Sequence, residues 1–232
     1  MSSTEDSNGS QRSTDRHASR EQLRALAHPL RLDLMDHIGR RGTARAADLA
    51  ADLGIPANSV SYHLRILARG GVIVDAPEAA RDRRDRVWKL GQGTFGDISA
   101  GSVNDPRERD PEYRAASGAM SIAVLDWMRS AWAAEIARST AAGTEPEEGL
   151  GQLVATTMRL STQQAQEMNR RIGEIISEYN RLNRDEDLAF APEDPDLTQK
   201  AHALRVLWAV VGEQGLEPDG AEGAAVSARE QS

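Results

Sequence analysis

The side chains best placed to do chemistry fall into two groups. Asn58, Ser61, Tyr62, Arg65 and Arg69 recur at offsets of 3, 4, 7 and 11, with Ser59 beside them. On a helix that spacing makes one continuous polar stripe of hydrogen-bonding groups and cations. Ser and Tyr hydroxyls suit phosphate oxygens, whereas Asn and Arg suit base edges. The second group is Arg81, Arg83, Arg84 and Arg86, interleaved with Asp82 and Asp85. Such a cluster suits phosphate contact, although the two aspartates offset part of its charge. A merely solvated surface is the plain alternative for both groups, so the surrounding elements must decide.

Other chemistries are poorly served. The chain has 232 residues and no cysteine. That removes disulfides, thiolate metal sites, a cysteine nucleophile and CxxC redox chemistry. No Ser/His/Asp spacing, Gly-rich phosphate loop or HExxH occurs, and no carboxylate pair stands out. We therefore expect no enzyme, no catalytic residue, no cofactor and no metal site. His28, His37 and His202 are isolated in sequence. His63 adjoins the apolar line Val60, Leu64, Leu67, which predicts a partly buried, hydrogen-bonded ring. No run of 18 apolar residues exists, so no membrane span is expected. Residues 1–19 are polar and lack a signal-peptide core, so a cytoplasmic protein is expected.

The elements that must position these groups can be read in turn. Ser19 with Gln22 forms a capping-box pattern, followed by the apolar edge Leu23, Leu26, Ala27. His28-Pro29 interrupts that helix, and Pro29 suits the first turn of the next. There Leu30, Leu34 and Ile38 recur at helical spacing, with Leu32 and Met35 beside them, until Gly42. Residues 46–53 read as a short helix stopped by Gly54. After a tight turn Pro56 opens a helix whose buried stripe is Val60, Leu64, Leu67. Behind Gly70-Gly71, the β-rich runs 72–74 and 87–90 flank the arginine cluster and predict a hairpin. Helix, helix, short helix, turn, polar-faced helix and basic hairpin make a winged helix-turn-helix. Its second helix would lie in the major groove of double-stranded DNA, and its wing on phosphates.

Charge seems to oppose that reading, since 36 acidic and 28 basic residues leave a net charge of −8. The distribution removes the objection. Residues 20–90 hold 13 basic and 9 acidic side chains, whereas residues 91–232 carry a net −11. Only Lys89 and Lys200 are lysines; the other cations are arginines.

The stretches LRALAHPLRLDLMDHI, AADLAADLGIPANSVSYHLRILARGGVI and RDRVWKL resemble the ArsR-type winged-helix regulators. The likeness spans about residues 19–90 and is most specific from Ser59 to Leu64, with Leu67 and Gly70-Gly71. It is closest to the cysteine-free branch with a C-terminal extension. The resemblance implies a bacterial homodimer on a near-palindromic operator, usually a repressor relieved by a signal. Metal-sensing members carry Cys in the short helix, or Asp/His sets on the C-terminal helix. Here the short helix is Ala-rich, so metal sensing is not expected.

In the second half, Asp110-Pro111-Glu112 predicts a helix start, running to about residue 140. Its apolar residues form two lines. Tyr113, Ala116, Met120, Val124 and Trp127 make one; Leu125, Met128, Trp132 and Ile136 make the other. So wide an apolar arc needs cover from its own domain, from the same helix of a second subunit, or from both. We assign Met120, Val124, Trp127, Met128 and Trp132 to dimerisation; a pocket for a small apolar effector is the alternative. Residues 153–160 and 201–211 read as strands. Between them Ser161 with Gln164 caps a helix bearing Ala165, Met168, Ile172, Ile175, Ile176, Tyr179 and Leu182.

The expected fold is α+β, mainly α. It comprises a disordered tail (1–18), the winged domain (19–90), a linker (91–110), an α+β domain (111–211) and a second tail (212–232). The expected function is a dimeric, sequence-specific DNA-binding repressor. A winged-helix protein-interaction module without useful DNA affinity is the alternative.

Overall fold

A computed structural model of the chain describes residues 18–80, 86–91, 105–141, 152–182 and 204–211. Both expected tails, apart from residue 18, and most of the expected linker lie outside these residues. Six helices and three short strands make an α+β fold, mainly α. No described helix is long and apolar enough to cross a membrane.

Helix α1 (Arg20–Leu26) begins at the capping box expected from sequence. The Gln22 amide donates to Ser19 Oγ at 3.2 Å, and the Ser19 amide to Gln22 Oε1 at 2.8 Å. Helix α2 (Pro29–Arg41) starts after His28, whose ring Nδ1 accepts from the Leu30 amide at 3.1 Å. Gly42 ends α2 with φ of 72°, a conformation disfavoured by any side chain. Strand β1 (Thr43–Arg45), three residues long, leads into α3 (Ala46–Leu53). Gly54 closes α3 in the left-handed conformation, its N–H donating to the Ala50 carbonyl. Helix α4 (Ala57–Arg69) follows.

Strands β2 (Ile73–Asp75) and β3 (Val87–Leu90) pair antiparallel, as the sequence predicted, and β1 adds to the other edge of β3. In the register Ala44 stands opposite Trp88, and Asp75 opposite Trp88 on the other side. Strand β1 was not anticipated, because three residues with only Ala44 buried give no alternation to read.

The core unites Leu23, Leu26, Leu32, Leu34, Ile38, Leu49, Val60, Leu64, Leu67 and Ile73. It does not stop at the end of the hairpin. Helix α5 (Pro111–Ala141) adds Tyr113, Ala116, Met120 and Ala123, packed chiefly against α1 and α2. This corrects the expected boundary at residue 111. The first half of α5 belongs to the winged core, because α1 would otherwise leave its apolar face in water. Polar links fix the docking. Tyr113 donates its hydroxyl to the Ala18 carbonyl at 3.2 Å, Trp127 Nε1 donates to Asp33 at 2.7 Å, and Glu112 pairs with Arg20. The end of the expected linker is also ordered: residues 106–109 form a 3-10 turn capped by Asp105, with Arg107 over the Tyr113 ring.

Ser117 sits at 0% exposure within this interface, and among the described residues its hydroxyl has no partner. A buried unsatisfied hydroxyl is a liability, and its removal leaves nothing unpaired. Ser117→Ala is expected to raise stability by about 1 kcal/mol in urea denaturation. A loss of that size would show that the hydroxyl is satisfied.

Helix α6 (Thr162–Leu182) starts at the predicted Ser161–Gln164 capping box. The strands expected at 153–160 and 201–211 are corrected: residues 152–160 and 204–211 join no sheet. Their apolar side chains, among them Leu153, Val154, Val206 and Val210, stand exposed. Alternation makes a strand only where a neighbouring backbone completes the ladder. By contact pattern the chain forms two compact units, residues 1–201 and 202–232. Only residues 204–211 of the second are described.

Candidate nucleic-acid interface

The αL turn at Gly54 sets α4 against α3, and packing decides which face of α4 remains free. Val60, Leu64 and Leu67 are fully buried, so the opposite side must meet solvent. Asn58, Tyr62, Arg65 and Arg69 lie on that exposed side, with Tyr62 at 56% exposure. Ser59 and Ser61 are half-buried at its margin. The predicted stripe is therefore one exposed face.

Its electrostatics are simple. No acidic residue occurs between positions 56 and 69. Arg65 Nε donates to the Ser61 carbonyl at 3.1 Å, and Arg69 Nε to the Arg65 carbonyl at 3.3 Å. Both arginines thus lie back along their helix. Among the described residues neither meets a carboxylate, so each guanidinium keeps donors for an incoming acceptor. Asn58 Oδ1 accepts from the Ser59 amide at 2.9 Å, which orients that side chain at the start of α4.

The hairpin differs. Arg86 forks onto Asp75, its Nε and Nη2 lying 2.9–3.2 Å from the carboxylate oxygens. Its guanidinium also sits 4.7 Å from the Trp88 ring centroid. Lys89 reaches Glu78 at 2.7 Å, which holds the Glu78 carboxyl below its ordinary value. The described cations of the hairpin are thus already matched by acids. Arg81, Arg83 and Arg84 lie outside the described residues.

Sequence reasoning missed a cluster behind the stripe. His63 leaves α4 toward the start of α2, and its ring lies 4.9 Å from that of His28. Tyr62 meets His63 edge-on at 5.3 Å. The expected satisfied histidine is corrected, because His63 Nδ1 is buried with no partner among the described residues. His28 is not isolated either, and His37 lies 3.5 Å from Asp52. The contact joins positions 28 and 63, and no periodicity connects them.

Burial lowers both imidazoles below the ordinary histidine value. Arg31 adds to this at His28; the His28 charge, then Arg31, add to it at His63. The folded chain therefore resists protons that the unfolded chain accepts. Stability is full above the ordinary histidine pKa of about 6.5 and declines as pH falls through it toward the lowered folded values. Protonation of His28 Nδ1 would also remove the acceptor that caps α2. We expect His63→Gln to flatten the pH 7.5 to 5.5 fall in denaturation midpoint relative to wild type. An unchanged slope would refute the assignment.

Of the α5 residues expected at a dimer contact, Met120 is buried within its own subunit. Val124 and Trp127 are partly buried against the same core. Met128 and Trp132 are half-buried on the second apolar line, where Leu125 and Ile136 are exposed. Among the described residues no group of three or more His, Asp or Glu could hold a metal ion.

Comparison with known proteins gives a consistent, partial result. No curated protein matches the chain. Residues 26–75, from the last residue of α1 through β2, match the family described as a helix-turn-helix domain, so the chain carries the reading head of a DNA-binding regulator.

Proposed function

We propose that this protein is a sequence-specific transcription regulator that binds a near-palindromic DNA operator as a homodimer and represses from it. Helix α4 enters the major groove. Asn58 and Arg65 face base edges, while Ser59, Ser61, Tyr62 and Arg69 hold phosphates. The loop bearing Arg81, Arg83 and Arg84 is the wing on the adjacent backbone, joined by Arg86 when it exchanges Asp75 for phosphate. The partner subunit docks on the second line of α5, around Met128 and Trp132, as an extension of the ArsR-like architecture that residues 19–90 resemble.

The observation that carries this reading is the acid-free exposed face of α4, with Arg65 and Arg69 unmatched by any described carboxylate. The net −11 of residues 91–232 supports it, because that half is repelled by DNA and turns the winged domains toward it. Gel shifts against the upstream region of the protein's own gene, over a salt series, test the proposal. Affinity is expected to fall steeply with salt, as phosphate contacts release counterions. No shift at low salt, with stoichiometric capture of a protein partner instead, would favour an interaction module. The internally matched charges of Arg86 and Lys89 are the observation on that side.

A further inference from the structure

Helix α6 is amphipathic, yet none of its described side chains is buried. Ile175 and Tyr179 are 55% and 62% exposed, and Ala165, Met168 and Ile172 are only half-buried. The spacing of these residues is more specific than amphipathicity. Positions 165, 168, 172, 175, 179 and 182 alternate steps of three and four throughout the helix. That is a strict seven-residue repeat, with Ala165, Ile172 and Tyr179 at one seam position and Met168, Ile175 and Leu182 at the other. A helix packing on a globular core follows a 3.6-residue period and drifts from such a seam; a 3.5-residue seam fits another helix.

Charge then selects the partner and its direction. The residues flanking the seam are Gln164, Arg171 and Glu178 on one side and Asn169 and Ile176 on the other. In a parallel pair of identical helices, Arg171 would face Ile176 and no flanking ion pair forms. In an antiparallel pair centred between positions 173 and 174, Ile172 meets the partner's Ile175 and Met168 meets the partner's Tyr179. Arg171 then lies beside the partner's Glu178, and symmetry forms the pair twice. Among the described residues Glu178 has no ion partner. Arg171 reaches Glu167 at 3.0 Å with most of its surface still open to solvent. Arg170, braced by Glu167 and Glu174, lies on the outer face and strengthens the helix without entering the seam.

We propose that α6 docks antiparallel on α6 of a second copy of this chain, forming a self-contact separate from the one assigned to α5. It is independent of DNA binding. The absence of native cysteine makes the arrangement directly readable. Met168→Cys and Tyr179→Cys are made as separate full-length variants, oxidised alone and as an equimolar mixture. The antiparallel seam predicts a 168–179 cross-link in the mixture and little cross-linking of either variant alone. Like positions in that seam are about 16 Å apart along the axis, beyond disulfide reach. Glu178→Arg is expected to weaken self-association about tenfold, and adding Arg171→Glu to restore it. Cross-links between like positions would overturn the antiparallel arrangement. A monomer in light scattering, or a dimer with no 168–179 cross-link and no response to Glu178→Arg, would overturn the proposal altogether. Gel shifts on the same variants separate this outcome from failure of the DNA-binding reading.

Discussion

Gly70→Ala is expected to destabilise the protein by about 2–3 kcal/mol, although the change adds one methyl group. A Cβ at position 70 would stand 2.4 Å from the Ala25 Cβ and 3.1 Å from the Glu21 carbonyl oxygen. Neither neighbour is the far end of a flexible side chain. Both are fixed to α1, so the end of α4 must separate from α1, and Leu67 and Leu23 lose part of their burial. The melting temperature should fall by roughly 10 °C or more. Ala25→Gly in the same chain removes the nearer obstacle and should restore part of the loss. It should not help the wild type, because glycine within a helix costs about 1 kcal/mol. A sign change between backgrounds is the signature of direct contact. An unchanged midpoint for Gly70→Ala would mean that α1 and α4 are less closely apposed.

The second large effect is expected in DNA affinity. Arg65→Ala should weaken operator binding roughly tenfold to a hundredfold, the usual cost of losing one bidentate base contact. It should also relax preference at one base pair of each half-site. Arg69→Ala should weaken binding to all sequences alike and reduce the slope of log affinity against log salt by about 1. The two arginines are four residues apart on one face, so the contrast assigns base reading and phosphate holding. Neither side chain enters the core, and both variants should melt with the wild type. If both leave affinity and salt slope unchanged, α4 is not the reading helix.

The winged domain was largely legible in the sequence because its signals are local. Gly54 and Pro56 mark the turn, and the Val60–Leu64–Leu67 stripe fixes which side of α4 is buried. The polar stripe follows from that same period. What escaped was non-local. β1 is too short to alternate, and the His28–His63 contact depends on how α2 and α4 cross. Of the two apolar lines on α5, only the packing shows that Tyr113, Met120 and Trp127 turn inward to α1 and α2. Met128 and Trp132 do not share that burial. The runs at 153–160 and 201–211 misled for the converse reason: their side-chain pattern suits a strand, but no sheet takes up their backbone.

The docking of α5 on α1 also bears on how the chain is made. Tyr113, Trp127 and Glu112 reach residues more than 90 positions upstream. All the sequence of the winged domain through β3 leaves the ribosome before the helix that covers Leu23 and Leu26 has been synthesised. Translation proceeds at about 5–20 residues per second, so some 35 further residues take a few seconds. For that interval the nascent domain presents an apolar α1 that cannot yet be closed, a natural point of engagement for a chaperone. The DNA-reading half is therefore complete as a fold only when much of the acidic half exists. A regulator truncated before α5 is an unfinished core with one wall absent.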